Sequence, residues 1–90
     1  MYIYVFSSEN KRLWKIGFSN DPDRRLKELQ TGCPFKIEEY TRIECDDNYR
    51  EVEKAIHEKL SPYKQRGGKE WYKVAKSWIN TILFEVAVRL

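Results

Sequence analysis

Met1-Tyr2-Ile3-Tyr4-Val5-Phe6-Ser7 and Arg12-Leu13-Trp14-Lys15-Ile16-Gly17-Phe18-Ser19, with the polar turn Ser8-Glu9-Asn10-Lys11 between them, decide the fold of this 90-residue chain. Both runs are rich in β-branched and aromatic residues and flank turn-forming ones, the pattern of a β-hairpin. With Glu9-Asn10 as a two-residue loop, Ser8 pairs with Lys11, and counting back along the ladder places Tyr4 opposite Lys15. Tyr4 and Lys15 then share one face. Ile3, Val5, Trp14 and Ile16 take the other, because side chains alternate along a strand and one apolar face must be buried. A loop of three or five residues would shift this register, and neither Glu nor Asn compels the tighter turn.

Outward from the hairpin, Asn20-Asp21-Pro22 starts a helix: Asp21 caps free N–H groups, and Pro22 at the first helical position has no donor to waste. That helix runs to about Thr31, with Gly32 supplying a left-handed stop and Pro34 beyond it. Phe35–Cys45 alternates Phe35, Ile37, Thr41 and Ile43 against Lys36, Glu38 and Arg42 as a third strand, although Glu39 and Tyr40 blur the pattern. Asp46-Asp47-Asn48 caps a second helix whose apolar stripe is Tyr49, Val52, Ile56 and Leu60, ended by Ser61-Pro62. Lys64–Lys69 is a basic loop and Glu70–Val74 a short extended piece. A last helix, about Ala75–Arg89, buries Trp78, Ile79, Ile82, Leu83 and Val86. Trp14, Trp71 and Trp78 read as core, Trp71 being the one to expect at the surface beside the basic loop.

Size and composition narrow the function. A chain this short supports one domain and one core, a single layer of helices on a small sheet. Apolar residues at 41% of the chain argue against disorder. A net charge of +3 is compatible with a polyanionic partner such as nucleic acid. Cys33 and Cys45 lack CxxC spacing and have one His to help them, which points to reduced thiols rather than a zinc site. The N-terminus has no leader-like pattern, and Trp78–Leu90 is short and carries Glu85 and Arg89. The expectation is a cytoplasmic protein without a membrane span.

Helix geometry selects further chemistry-bearing residues. At 100° per residue, Arg25 lies about 70° from the centre of the Pro22/Leu26/Leu29 stripe and Arg24 about 170° from it, so Arg25 borders the sheet and Arg24 faces water. Glu53 lies about 60° from the centre of the second helix's stripe, with His57 one turn on. Tyr4, Lys15, Arg25, Glu53 and His57 can therefore gather on one surface. Phosphodiester hydrolysis needs an activated water, positive charge on the phosphoryl oxygens and help for the leaving oxygen. A lone Glu53 suffices for Mg²⁺ (or Mn²⁺), whose shell is completed by waters and substrate phosphate. Arg25 offers a planar fork to phosphate oxygens, and Tyr4 and Lys15 can position or deprotonate the water. Taken singly, each of these residues reads as an ordinary sheet or surface side chain; the chemistry rests on their conjunction.

The ordered pattern Tyr2-Ile3-Tyr4, Lys15-Ile16-Gly17, Arg25, Glu53, His57 and Glu70-Trp71-Tyr72 resembles the GIY-YIG nuclease superfamily, in particular its short phage and meiotic-gene branch, over about Met1–Val74. The resemblance implies a three-stranded antiparallel sheet packed by helices, an α+β fold in agreement with the pattern above. It makes Tyr4 the first-motif tyrosine, Arg25 the catalytic arginine and Glu53 the metal-binding glutamate, with Lys15 where the second tyrosine usually stands and His57 as a further catalytic residue. The implied function is a small divalent-metal-dependent endonuclease acting on DNA in preference to RNA; the alternative is a catalytically inactive nucleic-acid-binding or regulatory module. Lys11, Arg12, Lys64, Arg66, Lys69 and Trp71 are the expected nucleic-acid contacts. A partner protein or a homodimer would supply substrate specificity.

Overall fold

The structure is a computed structural model and describes residues 1–65 and 71–89. Its elements run β1 (Tyr2–Ser8), β2 (Leu13–Ser19), α1 (Pro22–Thr31), β3 (Ile37–Glu44), α2 (Tyr49–Leu60), a 3₁₀ turn (Ser61–Tyr63), β4 (Tyr72–Lys73) and α3 (Lys76–Arg89). The strands form one antiparallel sheet in the order β3-β1-β2-β4. The fold is α+β, as expected, with a fourth strand added: Glu70–Val74 contributes the two-residue β4, which pairs with the start of β2.

The hairpin register differs from the expected one by two residues. Tyr4 faces Gly17, and Lys15 faces Phe6. The connection is a four-residue loop between Ser8 and Leu13, with Lys11 at φ 59°. Ser8 organises it: its carbonyl accepts from the Lys11 N–H (3.0 Å), and its hydroxyl donates to Asn10 Oδ1 (2.6 Å) and accepts from the Leu13 N–H (3.1 Å). The wider loop moves the ladder by an even number of residues, so every side chain keeps its face. Tyr4 and Lys15 still lie on one side and Ile3, Val5, Trp14 and Ile16 on the other.

The blurred stretch of β3 is a bulge. Val5 pairs with Thr41 but Phe6 with Glu39, which leaves Tyr40 as the extra residue. Ile37 is thereby placed with Tyr4 and Phe6, while Tyr40 and Ile43 pack on the opposite face, where the Tyr40 ring meets the edge of Trp14. The bulge lets one strand feed two cores. The larger lies between the sheet and α2/α3 and contains Ile3, Val5, Trp14, Ile16, Val52, Ile56, Leu60, Tyr72, Ile79, Ile82 and Val86. The smaller lies under α1 and contains Tyr4, Phe6 and Ile37 with Leu26, Leu29 and Phe35. The sheet is thus sandwiched between α1 and the α2/α3 pair, three layers where one layer of helices was expected.

Smaller corrections concern helix ends and the tryptophans. Gly32 ends α1 at φ −98°, outside the left-handed region; the stop is made by the Cys33 N–H on the Gln30 carbonyl (3.1 Å) and by the Gln30 side chain. That amide donates to the Phe35 carbonyl (2.9 Å) and accepts from the Ile37 N–H (2.7 Å), stitching the turn into β3. Asn48 stands at the N-cap of α2 without a side-chain bond. Trp78 is 37% exposed rather than core, while Trp71 is tucked against Phe35 with Lys15 Nζ above its ring. Cys33 and Cys45 are free thiols. Among the described residues no helix is long and apolar enough to cross a membrane.

Candidate functional site

The α1 half of the site is built at the helix N-terminus. Asp21 accepts from the Arg24 N–H through Oδ1 (3.2 Å) and from the Arg25 N–H through its carbonyl (3.1 Å), while Pro22 is buried at the first helical position. Arg42 on β3 clamps this start to the sheet by donating to Asp23 Oδ1 (2.6 Å) and Glu39 Oε2 (3.0 Å). The two adjacent arginines separate as the helical angles require: the Arg24 side chain is 78% exposed and that of Arg25 42%. Arg25 turns to the sheet, where its hydrogen bond with the Tyr4 phenol is the main reason its guanidinium is held above its ordinary pKa, with partial burial acting in the opposite direction. Tyr4 is buried and stacked on Phe6, ring centroids 4.2 Å apart.

Tyr4 lies across Gly17. A Cβ built on Gly17 would stand 2.3 Å from the Tyr4 hydroxyl and 2.6 Å from Cζ, so the glycine exists to admit the ring rather than to free the backbone. Because Tyr4 is fixed by the Phe6 stack, Gly17→Ala should cost about 1–3 kcal/mol of stability. Each of those kcal/mol lowers the unfolding midpoint by about 4–8 °C in a domain of this size. Thermal denaturation followed by circular dichroism measures the fall, and an unchanged midpoint would mean that Tyr4 leaves its place at no cost.

The α2 half is organised by His57. Nε2 faces the Ile16 carbonyl at 3.0 Å, and since a carbonyl only accepts, Nε2 carries the proton. Nδ1 is hydrogen-bonded with the Tyr72 hydroxyl. Beyond Trp14, no described strand pairs with the outer edge of β2, and His57 occupies the edge carbonyl that a strand would have taken. Glu53, Lys54, His57, Glu58, Ser61, Lys64 and Tyr72 line an open groove of about 530 Å³ on this side.

The two halves belong to opposite layers and meet at the outer edge of β2. Tyr49, Glu53 and His57 are spaced by four residues and form one row along α2. His57 contacts Ile16, and the Tyr49 ring packs on Phe18 with centroids 4.9 Å apart. Glu53 is midway in that row, and Gly17 midway between Ile16 and Phe18. The row therefore sets Glu53 alongside Gly17, and Gly17 carries Tyr4 and its Arg25 partner on its other side.

The remaining expected residues divide. Lys15 is buried, 8% exposed, its Nζ 5.9 Å from the Trp71 ring centroid on the α1 side. Lys11 is paired with Glu38 at 2.7 Å, and Arg12 is exposed in the hairpin loop, away from Gly17 along the strand. Lys64 is in the groove with Glu53. Arg66 and Lys69 lie outside the described residues. Sequence reasoning missed Gly17, Phe18, Tyr49 and Tyr72 as site residues. A glycine inside an otherwise apolar strand was the available signal for the first.

The class these features define is a small α+β domain with an arginine–tyrosine pair on one face of β2 and a groove of mixed charge on the other. The chain belongs to the T5orf172 domain family, whose model matches residues 1–87. This overturns the resemblance to the GIY-YIG superfamily: the matching family is a different one, and no GIY-YIG model matches. The short motifs that carried that resemblance have packing roles of their own here, with Ile3, Tyr4, Ile16 and Tyr72 all buried in the two cores. The T5orf172 domain is a phage-derived domain associated with nuclease and DNA-binding work. No curated protein and no solved structure matches the chain.

Proposed function

We propose that this chain is a small divalent-metal-dependent endonuclease that hydrolyses phosphodiester bonds, with DNA as its substrate. The observation that carries the reading is the seam at Gly17, which has the Arg25–Tyr4 pair on one side and the Glu53 row of α2 on the other. Among the described residues no group of three or more His, Cys, Asp or Glu could hold a metal ion, so a closed zinc-type shell does not fit. Glu53 and Glu58 both line the groove, and one or two carboxylates completed by waters and a substrate phosphate fit Mg²⁺ or Mn²⁺. When bound, such an ion supplies positive charge to the phosphoryl oxygens and acidifies water.

The chain's own residues divide the remaining work. Arg25 presents a planar fork to the non-bridging oxygens, its direction fixed by Tyr4. The Tyr4 ring is buried over Gly17, so its hydroxyl acts by holding Arg25 toward the phosphate. Lys15, buried beside Trp71, adds positive charge from below. His57 has both ring nitrogens engaged, which makes it a positioning residue that holds the Tyr72 hydroxyl over the groove. That engagement is also the observation favouring the alternative, a module that binds nucleic acid without cutting it.

Incubation of purified protein with supercoiled plasmid in Mg²⁺ or Mn²⁺, beside a chelated control, tests the proposal. Nicking that disappears on chelation is the expected result. An electrophoretic shift that needs no metal, with no nicking in either ion, would establish the binding-only alternative.

A further inference from the structure

We infer that Phe18, Tyr49 and Arg50 form a stacking platform for the base of an unpaired nucleotide, which would direct the site to single-stranded or branched nucleic acid. The inference deepens the proposed function and rests on its nucleic-acid part.

Phe18 is 38% exposed although it belongs to a strand whose other apolar side chains are covered. Its ring is tilted 55° against Tyr49, and the Arg50 guanidinium sits over the Tyr49 ring at 5.7 Å, its Nε donating to the Tyr49 hydroxyl (3.3 Å). An exposed Phe18 ring braced on the half-buried Tyr49, with a guanidinium attached, has the two features that bind a base face, a π surface and a cation. The platform is also correctly placed. Tyr49 precedes Glu53 by one helical turn, about 6 Å along the axis. Phe18 directly follows Gly17, the seam itself. A base lying on Phe18 and Tyr49 would put its own backbone one residue from Gly17 and one helical turn from Glu53.

Stacking selects for strandedness rather than sequence. Bases inside a duplex already have both faces covered by their neighbours, so occupying the platform from a duplex requires unstacking. A base in a single strand, flap or junction is available at little cost, and every base has a π face.

The test is a fluorescence titration in chelator, so that nothing is cut, using an oligonucleotide carrying 2-aminopurine as a single strand and as a duplex. The single strand is run as DNA and as RNA, the tighter one identifying the source of the base. Wild-type protein should quench the single-stranded probe more strongly than the duplex. Phe18→Ala should weaken single-strand binding by roughly 5- to 150-fold, the usual worth of one base–aromatic stack, and change duplex binding by less than about twofold. Phe18→Trp should restore the quench. Equal losses on single strand and duplex, or no quench with wild type, would overturn the platform. Quenching without metal-dependent nicking would sink the nuclease reading and leave the platform standing, whereas nicking with an unaltered strand preference in Phe18→Ala would do the reverse.

Discussion

Arg25→Ala is expected to reduce plasmid nicking by about 10²–10³-fold, the typical cost of losing one preorganised charge stabiliser, while the loss of its bond to the buried Tyr4 hydroxyl costs about 1–3 kcal/mol of stability. The stability cost is confined to that bond by where the side chain lies. Its ion pair with Glu28 spans 3.5 Å on a largely exposed helix surface, where such pairs contribute about 0–1 kcal/mol. The structural work at this end of α1 is done by Asp21, Pro22 and the Arg42 clamp, none of which involves the Arg25 guanidinium. Arg25→Lys keeps the charge but not the fork, and should recover only part of the lost rate. Arg24→Ala is the matched control, because the neighbouring guanidinium points to solvent. Rates from supercoiled-to-nicked conversion, with circular dichroism melts of the same preparations, give the answer. An equal loss in the Arg24 variant would mean that overall positive charge, not a placed guanidinium, is what matters.

How much of this was legible before the coordinates can be traced through particular residues. The strand and helix patterns were readable because each has one dominant apolar period: Ile3/Val5 against Trp14/Ile16 in the hairpin, and Val52/Ile56/Leu60 along α2. Arg25 and Arg24 were told apart by helical angle alone. The face assignment of Tyr4 and Lys15 survived a wrong register, since an error of two residues preserves pleat parity. What was not legible depends on partners distant in sequence. The bulge at Tyr40 is set by pairing with β1, and the sequence showed it only as a break in alternation. Trp78 and Trp71 exchanged roles because a tryptophan's burial depends on what covers it. Phe35 and Lys15 cover Trp71, and the core side of α3 is filled by Ile79, Ile82 and Val86.

The site was half legible. The five residues were expected on one surface, and they instead come from two layers with the β2 edge between them. Nothing in the spacing of Tyr4, Arg25 and Glu53 indicates that α1 and α2 pack on opposite faces of the sheet; that is decided by the two cores. The resemblance that first assigned their roles fell to the family match, so Glu53 and Arg25 now stand on position alone. Position gives a sharper test than resemblance does, because it names neighbours that should behave differently.

Glu53→Gln is that test for the α2 side. The amide has nearly the shape of the carboxylate and removes its charge, so the groove should keep its form. Nicking in Mg²⁺ or Mn²⁺ should nevertheless fall by at least the 10²–10³ expected for losing a charge stabiliser at the reacting phosphate. Mn²⁺ binding, followed by paramagnetic resonance in the absence of nucleic acid, should weaken in parallel, which separates a metal role from a role in binding substrate. Glu58 lines the same groove but is five residues from Glu53, about 140° around the helix, off the row that runs along β2. Glu58→Gln should therefore cost much less of either signal. The reverse ranking would move the metal away from Gly17 and break its link to Arg25. Indifference of nicking and Mn²⁺ binding to both substitutions would leave the α2 side without a catalytic part, because no other described residue of the α2 row next to that seam carries a carboxylate.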